Sequence, residues 1–149
     1  MAEAQAVASR ILCAEDDDMS FFILKTMLKK QPVELVRAVD GLDVVQKYTE
    51  RPRYFELILM DIEMPNMNGL EAAQKIRQFE VKEDLPPTMI VALTAHDEPE
   101  YHRKIFAARM NSIVNKPVNP QLLLEAMRVA LESTCLFLCQ WVFFYCARL

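Results

Sequence analysis

Five short apolar runs, each followed by a segment with helical spacing, constrain this chain more than any other feature. The runs are Ile11–Ala14, Val33–Val39, Phe55–Met60, Thr88–Leu93 and Ser112–Asn115. They are too short for helices, and their apolar character is near-continuous rather than alternating. That pattern suits strands buried on both faces of a parallel sheet. The intervening segments predict helices. Met19–Gln31 has Asp18 or Ser20 as its N-cap, Lys29 and Lys30 in its last turn and Pro32 as its stop. Leu42–Glu50 follows the turn dipeptide Asp40-Gly41. Leu70–Phe79 spaces Leu70, Ala73, Ile76 and Arg77 along one face. A helix reaching about Arg109 opens with Asp97 as cap and Pro99 at its first turn, and one reaching about Glu132 opens with Asn119 and Pro120.

Strand and helix therefore alternate five times, at intervals of about 20–28 residues. This predicts an α/β fold with right-handed crossovers and a five-stranded parallel sheet covered by helices on both faces. At 149 residues the chain has room for one domain. The reading divides it into an N-terminal extension (1–9), a globular unit (10–132) and an apolar tail (133–149).

Several function classes fall away. A net charge of −4 and a pI near 5.2 supply no basic excess to neutralise a nucleic-acid backbone. The two glycines, Gly41 and Gly69, exclude glycine-rich phosphate loops of either common type. The N-terminus lacks the apolar core of a signal peptide. Cys13 stands alone, while Cys135, Cys139 and Cys146 crowd the C-terminus without a nearby His. That is neither a disulfide framework nor a good zinc set, and it predicts a reducing, cytoplasmic setting.

In an open parallel sheet, ligands bind beyond the carboxyl ends of the strands. Glu15 and Asp16 follow the first run, Asp61 the third, Thr94 the fourth and Lys116 the fifth. The topology therefore brings three carboxylates, a hydroxyl and an ammonium to one edge. Three acids together repel one another unless a cation compensates, and hard oxygen donors in small number suit Mg²⁺. A carboxylate nucleophile, a metal, a lysine and a hydroxyl form a set suited to a phosphoryl group, with an aspartyl-phosphate as the covalent product. The adjacent Asp17 and Asp18 read as a solvated turn capping a helix.

The motifs ILCAEDD (11–17), LILMDIEMPNMNGLEA (57–72), ALTA (92–95) and NKPV (115–118), in this order and spacing, resemble those of response-regulator receiver domains. The DIEMPNMNG loop resembles the receivers of hybrid histidine kinases in particular. The resemblance spans roughly residues 10–132 and implies a flavodoxin-like fold. It also implies a signalling domain that catalyses its own phosphorylation and dephosphorylation. Asp61 would accept a phosphoryl group from a phosphohistidine on a histidine kinase or histidine phosphotransfer domain. Asp16 and Asp61 would ligate Mg²⁺, Glu15 would hold a metal-bound water, and the Glu63 backbone carbonyl would complete the protein's share. Thr94 would bond a phosphoryl oxygen, and Lys116 would ion-pair with it across a cis Lys116-Pro117 bond. By the same resemblance, Glu63 and His96 would tune hydrolysis of the aspartyl-phosphate. His96 and His102 read as exposed residues, not ligands. Met60, Met64, Met67 and Met89 read as packing residues.

Two positions depart from the family pattern. Ile113 stands where an aromatic switch residue is usual. Arg109 stands where glycine is common, which leaves Asn111 to take the left-handed conformation of that turn. Two further readings compete with a phosphorylated receiver. One is a phosphorylation-independent interaction module on the same fold. The other is a small phosphohydrolase using Asp61 and Glu63 as an acid pair. The segment Cys135–Leu149 is apolar at 13 of 15 positions. It falls short of the ~20 apolar residues of a membrane span. It reads as a read-through artefact, a docking segment or a lipidated tether, and only the last would bring membrane contact.

Overall fold

A computed structural model describes the backbone of residues 8–146 and the side chains of residues 8–134. Ten elements alternate along the chain: β1 (Ser9–Ala14), α1 (Asp18–Leu28), β2 (Val33–Ala38), α2 (Gly41–Glu50), β3 (Leu57–Asp61), α3 (Gly69–Lys82), β4 (Met89–Thr94), α4 (Pro99–Ala107), β5 (Ser112–Asn115) and α5 (Pro120–Cys146). The strands form one sheet in the order β2-β1-β3-β4-β5, with every pairing parallel. Leu12 pairs with both Val36 and Ile58, so β1 lies inside the sheet. The winding direction reverses between β1 and β3, which opens a crevice beyond their carboxyl ends.

Side-chain alternation along each strand divides the core in two. Leu12, Ala14, Ile58, Met60, Ile90 and Ala92 pack with Val44 and Tyr48 of α2, Ala73 and Ile76 of α3 and Ile105 of α4. Ile11, Cys13, Leu57, Leu59, Val91 and Leu93 pack on the other face with Leu24 and Leu28 of α1 and Leu123 and Met127 of α5. Burial on both faces explains why Ile11–Ala14, Leu57–Met60 and Met89–Leu93 are continuously apolar, whereas the edge strand β2 carries Glu34 and Arg37. Each fully buried Leu or Ile contributes about 1.5–3 kcal/mol, and truncating the fully buried Ile58 to Ala would cost about 2–5 kcal/mol. Met60 and Met67 are buried, and Met64 and Met89 pack against the core.

The helix ends differ from the expected ones in instructive ways. Asp17, not Asp18 or Ser20, caps α1 by accepting from the Ser20 N–H at 2.7 Å. Glu98, not Asp97, precedes the Pro99 turn, and its side chain makes no cap bond. Asn68 caps α3 in a reciprocal arrangement with Glu71, and that helix runs past Phe79 to Lys82. Asn119 caps α5 as expected, through the N–H groups of Gln121 and Leu122. Helix α5 runs past Glu132 to Cys146, because no proline or glycine interrupts it. The readings of the 135–149 tail rest on side chains outside the described residues, as does residues 1–7 of the N-terminal extension. Among the described residues, no helix is long and apolar enough to cross a membrane.

The α4–β5 turn corrects another expectation. Arg109 itself, not Asn111, takes the left-handed conformation, with φ 62°. Its carbonyl accepts from Arg77 Nε at 3.1 Å and from Nη2 at 3.0 Å. Asn111 is committed elsewhere, since its Oδ1 accepts from the Ile90 N–H at 2.8 Å and from Arg77 Nη2 at 3.2 Å. Arg77 is buried and ion-paired with the buried Glu80 at 2.7 Å. Glu80 also accepts from the Tyr48 hydroxyl and the Thr88 N–H, each at 2.7 Å. A helix-face position that sequence spacing placed among apolar residues is thus the hub of a buried polar network.

Candidate phosphoacceptor site

Four of the predicted site residues stand at strand ends on the carboxyl edge of the sheet, and Asp16 and Glu63 lie two residues beyond β1 and β3. Glu15 follows β1, Asp61 and Thr94 are the last residues of β3 and β4, and Lys116 follows β5. The strand registers hold these ends together, since Asp61 pairs with Leu93 and Thr94 with Asn115. Glu15, Asp61 and Thr94 are almost wholly buried, whereas Asp16 and Glu63 are exposed.

Lys116 joins two of the acids. Its Nζ lies 3.0 Å from Asp61 Oδ2 and 3.1 Å from Glu15 Oε2. Carboxylate oxygens of Glu15, Asp16 and Asp61 all lie within 4.8 Å of one another. Burial pushes the Glu15 carboxyl above its ordinary value and the Asp61 charge adds to that rise, while Lys116 opposes both. Burial disfavours the Lys116 ammonium, but the hydrogen bond and charge of Asp61, with help from Glu15, outweigh it and raise its pKa. One ammonium does not balance three carboxylates. A hard divalent cation fits this oxygen donor set, and Mg²⁺ meets its preference for few protein ligands.

Local backbone bonds aim the groups. Asp61 Oδ1 accepts from the Glu63 N–H at 3.1 Å, and Thr94 Oγ1 accepts from the His96 N–H at 3.0 Å. The Thr94 carbonyl accepts from the Lys116 N–H at 2.7 Å, and the Lys116-Pro117 bond is cis. Ile113 packs against the core beneath the α4 side of the sheet.

The only two glycines are required by close approach. A Cβ on Gly41 would stand 2.2 Å from the Met67 carbonyl oxygen, and one on Gly69 would stand 2.3 Å from the Asp61 carbonyl oxygen. The loop after Asp61 therefore lies directly on the N-termini of α2 and α3. Asn66, at φ 65°, ties it further to α2 by donating from Nδ2 to Asp40 Oδ2 at 2.8 Å.

Three relationships escaped the sequence reading. His96 Nε2 and Glu63 Oε1 lie 2.5 Å apart, and the His96 ring stacks on Tyr101 with centroids 4.2 Å apart. Arg37 of β2 reaches the loop carrying Glu15 and Asp16. Arg77 organises the buried network described above. For Arg37 the sequence offered only a weak signal, since the run that carries it also holds Glu34. Residues 63 and 96 share the same offset from Asp61 and Thr94, but nothing in the sequence says that their side chains meet.

The comparisons with known proteins agree with this arrangement. The family model described as the response regulator receiver domain matches residues 11–128. The chain is 35% identical over 129 residues to hybrid signal transduction histidine kinase I of Dictyostelium discoideum, covering 83% of this chain and 7% of that protein. It is 32% identical over 132 residues to response regulator mcs4 of Schizosaccharomyces pombe, covering 73% of this chain and 25% of that protein. It thus spans only a small part of these curated relatives. The fold matches a chain in the co-crystal structure of the Saccharomyces cerevisiae histidine phosphotransfer signaling protein Ypd1 and the receiver domain of its downstream response regulator Ssk1. That match has a TM-score of 0.73 at 32% identity and covers 78% of this chain and 83% of the other. The five-stranded flavodoxin-like architecture, the strand-end acids and the matched family model lead to one assignment: the chain belongs to the response regulator receiver domain family and is a receiver of the two-component phosphorelay type.

Proposed function

We propose that this receiver accepts a phosphoryl group on Asp61 from a phosphohistidine carried by a histidine kinase or a histidine phosphotransfer domain. The observation that carries the reading is the Lys116 ammonium held between Asp61 and Glu15, with Asp16 and Thr94 at the same edge. An Asp61 carboxylate oxygen attacks phosphorus as the bond from phosphorus to the donor imidazole nitrogen breaks. The leaving nitrogen takes up a proton. Lys116 pairs with the incoming phosphoryl oxygens, and the Thr94 hydroxyl, whose oxygen already accepts from His96, retains its own proton to donate to one of them. Glu15, Asp16, Asp61 and the Glu63 backbone carbonyl are the groups assigned to Mg²⁺. When bound, Mg²⁺ supplies charge neutralisation for the transferring group.

The surface beside the site supports a protein donor. Met19 and Phe22 of α1 and Leu122 of α5 are more than half exposed, and all lie within the first two turns of helices that start at the carboxyl edge of the sheet. An apolar rim around a charged site is suited to docking a partner. In this reading residues 10–132 form the working receiver, it acts in the cytoplasm, and it binds no nucleic acid.

The test is phosphorylation of the full chain by acetyl phosphate with Mg²⁺, read by intact mass. Wild type gains one labile phosphoryl group and Asp61→Asn gains none. A wild type that stays unmodified, or an Asp61→Asn variant modified at the same rate, overturns the reading.

A further inference from the structure

The phosphoacceptor reading accounts for Glu15 and Asp16 but not for the residue that holds them. Arg37 sits on edge strand β2, paired in register with Cys13 of β1. Its guanidinium makes three separate bonds to the loop beyond β1. Nε donates to the Glu15 carbonyl at 3.0 Å, Nη2 to the Asp16 carbonyl at 3.0 Å and Nη1 to Asp18 Oδ1 at 2.7 Å. The guanidinium carbon lies 4.9 Å from the centroid of the Phe21 ring, and the side chain is 22% exposed. A planar fork reaching two consecutive carbonyls and one carboxylate fixes the loop as a unit, which a single ammonium could not do.

We propose that Arg37 is a positioning residue for the cation site, acting through the peptides of Glu15 and Asp16. It touches no site carboxylate. Fixing the two carbonyls sets the backbone from which the Glu15 and Asp16 side chains branch. Those side chains then meet Asp61 within 4.8 Å without ordering the loop at the moment a cation binds. This role rests on the Mg²⁺-dependent receiver reading above.

Two effects of Arg37 on cation affinity have opposite signs, which makes the role measurable. As a positive charge near three acids, Arg37 weakens cation binding. As a clamp, it strengthens it. Arg37→Lys keeps the charge and loses the fork. Arg37→Met loses both and keeps an apolar stem against Phe21. Asp18→Ala removes one anchor and leaves both carbonyl bonds in place.

Mg²⁺ binding to the full chain is measured by isothermal titration calorimetry, with Mn²⁺ as a second probe and circular dichroism to confirm the fold. Arg37→Lys and Arg37→Met both weaken Mg²⁺ binding by about tenfold, the low end of the range for residues that orient metal ligands. Asp18→Ala stays within about twofold of wild type, as a largely exposed ion pair should. Wild-type affinity in Arg37→Lys, or tighter binding in Arg37→Met, overturns the positioning role and leaves the phosphoacceptor reading standing. A wild-type chain that binds neither cation overturns both.

Discussion

His96 Nε2 lies 2.5 Å from Glu63 Oε1 and joins the loop after β4 to the loop after β3 beside the candidate site. Each partner sits two residues beyond a site residue, Glu63 after Asp61 and His96 after Thr94. Each also donates its backbone N–H to that residue, so the pair locks both loops. Removing it frees the loops and admits water to the site. His96→Ala should shorten the lifetime of the aspartyl-phosphate by about fivefold, the rate equivalent of one hydrogen bond of ~1 kcal/mol. The check is decay of the phosphorylated species after acetyl phosphate is removed. An unchanged lifetime would show that the pair shields nothing.

Lys116 is the cation that lets Glu15 and Asp61 stay close. Lys116→Met should destabilise the fold by about 1–3 kcal/mol at neutral pH, below the full cost for a buried pair because the ammonium is partly exposed. The loss depends on pH. In the wild type the Lys116 pKa is raised, so its contribution is complete below the ordinary 10.5 and fades as pH rises through its folded value. In the variant the Glu15 carboxyl, already raised, climbs further. A raised acid stabilises below its ordinary 4.5 and loses that contribution as pH rises through its folded value. The deficit should therefore be small near pH 5 and grow toward pH 8. Urea unfolding at several pH values tests this, and added Mg²⁺ should narrow the gap.

Gly41→Ala places a methyl group 2.2 Å from the Met67 carbonyl oxygen. Backbone must shift, at a cost of about 2–3 kcal/mol. Because Met67 belongs to the loop that begins at Asp61, the variant should also weaken Mg²⁺ binding, although residue 41 touches none of the assigned ligands. Calorimetry on folded variant protein separates the two effects.

Arg109→Gly should stabilise the chain by about 1 kcal/mol, because it relieves a left-handed conformation that L-residues resist. The bonds from Arg77 go to the residue 109 carbonyl and survive the change. Arg77→Ala should do the opposite. It leaves the Glu80 carboxylate buried without its cation and should cost about 3–5 kcal/mol. Urea midpoints of the two variants, each set against wild type, read both signs in one experiment.

The layout of strands and helices was legible in the sequence because the strands of a doubly covered parallel sheet must be continuously apolar, and Leu57–Asp61 and Met89–Thr94 are almost uniformly buried. The site edge was legible for a related reason. A polar residue that directly ends such a run has nowhere to go but the carboxyl edge, which placed Glu15, Asp61, Thr94 and Lys116 without any contact being known. Composition could also say that two glycines leave no room for a phosphate-binding loop. It could not say that both glycines are needed because backbone passes within reach of their missing Cβ atoms. Tertiary structure alone decided which long-range partners the polar side chains found. Arg37 crosses to the loop after β1, Arg77 to the carbonyl of Arg109, and His96 to Glu63, over separations of 21, 32 and 33 residues. Periodicity reports only which face a residue takes and is blind to what stands opposite. A buried or half-buried polar group takes its partner from the packed neighbourhood, and that neighbourhood exists only once the sheet is assembled.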